Sequence, residues 1–104
     1  MHTVMWTFKL PAGTSRAHVV DTIKATAHGY QGVPGLIRKY YGLTEDSASL
    51  VGIYLWQSRA AADAFYTSDW IARVSGRWQS QATRQDWETP MVVESAENRL
   101  VAAE

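Results

Sequence analysis

Cysteine is missing from all 104 residues, which removes disulfide staples, thiolate nucleophiles and cysteine metal sites from consideration. An excess of one charge is missing too: ten basic and ten acidic side chains cancel. No long-range field therefore draws in phosphate backbones or anionic membrane surfaces, and nucleic acid is not an expected partner. No apolar run approaches the roughly 18 residues a membrane span needs, so no membrane association is expected and the chain reads as cytoplasmic. Familiar catalytic signatures are also wanting. There is no Gly-x-Ser-x-Gly elbow, phosphate loop, Gly-x-Gly-x-x-Gly fingerprint or His-Glu-x-x-His helix, which argues against nucleophilic and phosphoryl chemistry.

What is present is a globular composition, 46% hydrophobic and 19% charged, at the length of one domain. Five tryptophans and five tyrosines supply large rings with polar tips that seek partners when buried. Val4, Trp6, Phe8 and Leu10 alternate with more polar neighbours, the period of a strand. Pro11 and Gly13 end it, Thr14 or Ser15 can cap a helix, and Val20, Ile23, Ala27 and Tyr30 form that helix's apolar stripe. Gly29, Gly32 and Pro34-Gly35 turn the chain into a strand over 36–44, followed by a polar turn and another strand over 50–56. Ser58 caps a second helix. Ser68 or Asp69 opens a third, in which Trp70, Ile71, Val74 and Trp78 share a face. A last strand is predicted over 83–94, with Pro90 marking an edge, a bulge or a bend.

The order of strand, helix, strand, strand, helices, strand is the split βαβ pattern of ferredoxin-like α+β folds. It predicts a four-stranded antiparallel sheet covered on one face by helices, as one domain over 1–95 with a tail over 96–104 that is frayed or docked on a partner subunit. The hairpin strands carry apolar or aromatic residues at both parities: Leu36, Tyr40, Val51, Ile53 and Leu55 against Ile37, Tyr41, Leu43, Tyr54 and Trp56. A sheet greasy on both faces needs a cover for the face the helices leave bare. A homodimer through that open face is the expected cover.

The runs Pro34-Gly35-Leu36-Ile37-Arg38-Lys39-Tyr40-Tyr41, Gly52-Ile53-Tyr54-Leu55-Trp56 and Ala64-Phe65-Tyr66 resemble the YdhR-type monooxygenase family, over nearly the whole chain. The resemblance implies a dimeric α+β barrel, related to antibiotic-biosynthesis monooxygenases that oxidise polycyclic phenols without flavin, metal or haem. It also implies a ligand cavity beneath the helices of each subunit. The superfamily includes haem-degrading enzymes, isomerases and polyketide cyclases as well.

Among titratable groups, His28 lies near the end of the first helix at the flank of its apolar stripe. It is the candidate base for removing a proton from a phenol or from carbon beside a carbonyl; a histidine there also suits the helix macrodipole. Arg38 alternates with Leu36 and Tyr40, so it either holds a phenolate or enolate oxygen or forms an exposed ion pair. His18 falls on the solvent face of its helix, His2 opens the first strand, and the three histidines lack a metal-ligand spacing. No metal site and no cofactor are expected. Trp6, Tyr40, Tyr41, Tyr54, Trp56, Phe65, Trp70 and Trp78 are the candidate rings for a small aromatic ligand. The leading expectation is a cofactor-independent monooxygenase acting on an aromatic or polyketide-like phenol. A cyclase, isomerase or lyase using the same pocket, and a non-catalytic dimeric binding protein, are the alternatives.

Overall fold

In the computed structural model, which describes residues 1–102, β1 (His2–Lys9) is the central strand that organises the others. It pairs antiparallel with β3 (Ser49–Trp56) on one side and β4 (Thr83–Glu88) on the other. β2 (Leu36–Leu43) adds to β3 as a hairpin, giving the strand order β2-β3-β1-β4. This is the ferredoxin-like α+β sheet, antiparallel throughout. The alternation of β1 buries His2, Val4, Trp6 and Phe8 beneath the helices and turns Thr3, Met5 and Thr7 the other way. Residues opposite each other across a ladder share a face, so Leu50, Gly52, Tyr54 and Trp56 of β3 join the buried face.

Three helices cover that face. In α1 (Arg16–Thr26), Ser15 caps the first turn by accepting from the His18 amide, but only Val19 is fully buried. A 3-10 turn over Ala27–Tyr30 follows. The short α2 (Arg59–Phe65) is capped by Ser58 and buries Ala62. α3 (Ser68–Trp78) is the strongly amphipathic one: Trp70, Val74 and Trp78, four residues apart, are all buried, as a 3.6-residue period requires. Its cap is Thr67, whose hydroxyl accepts from the Trp70 amide, rather than Ser68 or Asp69. Asp69 instead places a carboxylate in the first turn, where it favours the dipole.

Gly35 shows how tightly α2 sits on the sheet. Its φ of +81° is left-handed, and a Cβ there would lie 2.5 Å from Ala61 Cβ. Gly35→Ala is expected to cost about 2 kcal/mol through backbone strain and overpacking. A urea midpoint lowered at constant m would record it; an unchanged midpoint would mean that α2 yields freely.

Two expectations are corrected at the sheet's ends. The strand predicted over 83–94 breaks at Thr89-Pro90, because proline cannot extend the ladder. Its second half becomes β5 (Met91–Glu94), which pairs with β6 (Arg99–Ala102) in a separate hairpin. Thus part of the segment expected as a tail over 96–104 is a strand; residues 103–104 lie outside the described residues. A register shift between Leu36 and Arg38 also breaks the expected parity. Leu36 packs against the core, while Arg38 opposes Leu55 and Tyr40 opposes Ile53 on the open face.

That open face carries Tyr40, Val51, Ile53, Leu55, Met5 and Trp87. The β5–β6 hairpin joins it through Glu94, which is buried and paired with both Arg38 and Arg99. On the hairpin, Val93 is 68% and Leu100 66% exposed; on the sheet, Tyr40 is 53% exposed. No helix among the described residues is long and apolar enough to cross a membrane.

Candidate functional site

Lys39 stands on the helix face of β2, in register with Tyr54 of β3. Its amine sits among rings. Its Nζ lies 3.3 Å from the ring centroid of Tyr30, 4.0 Å from that of Tyr41 and 4.6 Å from that of Tyr54. It donates a 2.8 Å hydrogen bond to the Tyr41 hydroxyl. Among the described residues no carboxylate pairs with it. Removal from water therefore dominates, and with repulsion from Arg77 it pulls the ammonium down to about 6 from an ordinary 10.5. A lysine in such surroundings is largely a neutral amine at pH 7. Burial pushes the Tyr41 phenol the other way, up to about 12, and raises Tyr54 further. Both stay protonated and able to donate.

These groups wall a narrow chamber between sheet and helices, lined also by Phe8, Leu50, Trp70, Val74, Arg77 and Trp78. Gly52 makes room for the Tyr54 ring: a Cβ there would come 3.1 Å from Tyr54 Cε1, while Lys39 Cε at 3.6 Å would be in ordinary contact. On its other side the Tyr30, Lys39 and Tyr41 wall faces an outer cleft of about 370 Å³, completed by Ala27, Gln31, Gly32, Leu36, Ile37 and Arg38. A second cleft of about 370 Å³, lined by Val19, Val20 and Ile23 of α1 and by Tyr41 to Glu45, lies further along β2. α1, which fully buries only Val19, forms one wall of this second cleft.

The rings divide into working groups. Tyr41, Tyr54, Trp70 and Trp78 line the chamber. Trp6, Trp56 and Phe65 belong to the packed aromatic cluster around Tyr66, with Trp56 Nε1 donating to the Tyr66 hydroxyl at 3.0 Å. Tyr40 is on the open face and away from the chamber. The indole N–H groups of Trp6 and Trp70 are buried without a hydrogen-bond partner, and Trp70 is the one on the chamber wall.

His28 is exposed on the 3-10 turn and lines neither the chamber nor the outer cleft. Arg38 borders the outer cleft, but its guanidinium is engaged by buried Glu94. The chain thus brings together Lys39, Tyr30 and Arg77, to which no chemical role had been assigned, with Tyr41, one of the candidate ligand rings; His28 and Arg38 are not in the chamber. The available signal was a lysine sharing strand parity with Tyr41 and Leu43, a charge on an otherwise apolar face.

A separate charged cluster joins β1, β4 and α2. His2 Nε2 lies 2.6 Å from Asp86 Oδ2, and Arg84 grips both Asp86 oxygens at 2.8 Å while reaching Asp63 Oδ1 at 2.8 Å. Burial alone would raise Asp86, yet Arg84 and His2 hold its carboxyl below the usual value. These groups satisfy one another and act as a clasp. No group of three or more His, Asp or Glu among the described residues converges as a metal site.

No family model matches the chain, and no curated protein matches it in sequence. Solved structures do match in shape. A cofactor-independent oxygenase from Streptomyces nogalater, SnoaB, is 18% identical with a TM-score of 0.65, over 90% of this chain and 97% of that one. The monooxygenase ActVA-Orf6 of Streptomyces coelicolor, solved with nanaomycin D, is 14% identical with a TM-score of 0.65, over 85% and 86%. The fold is that of the antibiotic-biosynthesis monooxygenases. MhuD, solved with two manganese protoporphyrin IX molecules per active site, shares it at 18% identity and a TM-score of 0.68, over 91% of this chain and 100% of that one. At such identities the antibiotic-biosynthesis-monooxygenase likeness speaks for the fold alone.

Proposed function

We propose that the protein is a cofactor-independent monooxygenase of the YdhR-type, acting on a flat phenol or polyketide-like compound held against the Tyr30, Lys39 and Tyr41 wall. The carrying observation is the carboxylate-free amine of Lys39, set among the rings of Tyr30, Tyr41 and Tyr54 and hydrogen-bonded to the Tyr41 hydroxyl, where burial pulls it down to about 6. The outer cleft has the volume of a small-ligand site, with the reacting edge directed to Lys39. Lys39 takes the proton from the phenol or from the ring carbon tautomeric with it. The Tyr41 hydroxyl, on the same wall, donates to the oxyanion, while Arg77 and the unpartnered Trp70 N–H lie on the chamber behind it. The carbanion passes one electron to dioxygen, and the resulting radical and superoxide join as a peroxide. Loss of water leaves a carbonyl, so one CH2 and one O2 become one C=O and one H2O.

Aerobic incubation with an anthrone-like phenol tests this reading: oxygen uptake equal to quinone formed is expected. Product formed equally well without oxygen would replace it with a cyclase, isomerase or lyase. Thermal stabilisation by the compound without any product would replace it with a binding protein.

The working unit is proposed to be a homodimer, in a cytoplasm whose reducing conditions suit a chain without cysteine. Tyr40, Trp87, Met91, Val93 and Leu100 are all exposed on the open face or its hairpin, and monomers avoid contiguous apolar surface of that kind. Light scattering is expected to return the mass of two chains, and Tyr40→Glu with Val93→Glu the mass of one. A wild-type monomer at micromolar concentration would remove this part of the proposal.

A further inference from the structure

Of the three lysines in the sequence, Lys9 and Lys24 are exposed. Only Lys39 lies in a cavity, with its amine free of carboxylates and 2.8 Å from a tyrosine hydroxyl. A base needs only the amine. The pairing with a hydroxyl beside a cleft open to a flat molecule has a second use. We propose that Lys39 forms a reversible imine with aromatic aldehydes or ketones that enter the outer cleft, so that the pocket also captures carbonyl compounds covalently.

The step balances without an oxidant or cofactor. The amine lone pair forms a C–N bond to the carbonyl carbon while the C=O π pair moves to oxygen, which takes a proton from the Tyr41 hydroxyl. The nitrogen then gives up a proton that restores Tyr41, leaving a neutral carbinolamine. Its hydroxyl departs as water after reprotonation and the C=N bond forms; water reverses the sequence. Net, one amine and one carbonyl yield one imine and one water. Two features of the site favour it. Desolvation draws the Lys39 amine down to about 6, which makes it nucleophilic at neutral pH. The rings of Tyr30 and Tyr41 flank the amine and offer stacking faces to an aryl group.

The inference uses the same amine as the oxygenase reading but fails separately from it. The full chain is incubated at pH 7 with 1-naphthaldehyde and cyanoborohydride, followed by intact mass and peptide mapping. The α-amino group, labelled in the same sample, serves as the reference. A reduced adduct at Lys39 is expected at about ten times or more the level at Lys9 and Lys24, the tenfold step that one pH unit of deprotonation supplies. Lys39→Met is expected to abolish that adduct, and Tyr41→Phe to slow it with the near-ultraviolet circular dichroism retained. Equal labelling of all three lysines, or none at Lys39 in a protein that still consumes oxygen, would overturn the imine and leave the base in place. A clean Lys39 adduct with oxygen uptake undiminished in Lys39→Met would uphold the imine and remove the base.

Discussion

Lys39→Met is expected to lower kcat/KM for an oxidisable phenol by about 10²–10⁴-fold, the range a positioned general base contributes. Methionine fills nearly the same volume and is apolar, so the chamber of Tyr30, Tyr41, Tyr54 and Trp70 should keep its shape. The loss is thereby separable from unfolding. The pH profile makes the assignment sharper. Lys39 can accept a proton only when neutral, and its amine titrates at about 6. Wild-type kcat/KM should climb as pH rises toward about 6 and then level, whereas the residual activity of Lys39→Met should lack that acid limb. His28→Ala should match wild type in both rate and profile, since His28 is exposed outside the chamber. An acid limb that survives in Lys39→Met and vanishes in His28→Ala would return the base to the histidine, on a surface closed by another chain.

The contrast between these two residues shows what a period of two or 3.6 can and cannot convey. Alternation along β1 and β3 put Trp6, Phe8, Tyr54 and Trp56 on the face where they lie, and the spacing of Trp70, Val74 and Trp78 gave α3 its orientation, because each element is regular. A single irregularity between Leu36 and Arg38 turned Leu36 to the helix side, while Arg38 and Tyr40 lie opposite Leu55 and Ile53 on the open face. One residue of slip reverses every side chain beyond it, and no local residue type announces a bulge there. His28 drew attention because histidine is the residue type whose unperturbed charge change falls between pH 5 and 8. Lys39 is pulled down to about 6 first by burial and second by repulsion from Arg77 of α3, and both depend on segments distant in sequence. Chemistry that depends on burial is legible only after the burial is known. Pro90, by contrast, did announce a break, and the structure turns it into the start of an exposed hairpin.

The same partly buried amine has a second large consequence, on stability. Between about pH 6 and 10.5 the unfolded chain holds a proton on Lys39 that the folded chain lacks. Folding then releases a proton, so raising the pH favours the folded state. From this group alone, stability should rise by up to about 1.4 kcal/mol per pH unit across that window. Below about 6 both states carry the proton and the slope vanishes; above 10.5 neither does. Lys39→Met removes the exchange altogether. The stability difference between the variant and wild type, from urea titrations at several pH values, is therefore expected to be largest in favour of the variant near pH 6 and to narrow steadily toward pH 10. Subtracting the two proteins cancels Asp86, Asp63 and the exposed groups, whose titrations they share. A difference that stays flat with pH would mean that Lys39 keeps its proton in the folded protein, and with it the nucleophile and the base would both be lost. Lys39→Arg is the opposing control: a guanidinium cannot shed its charge, so it should be less stable than wild type throughout, most of all at alkaline pH where the wild-type amine is neutral.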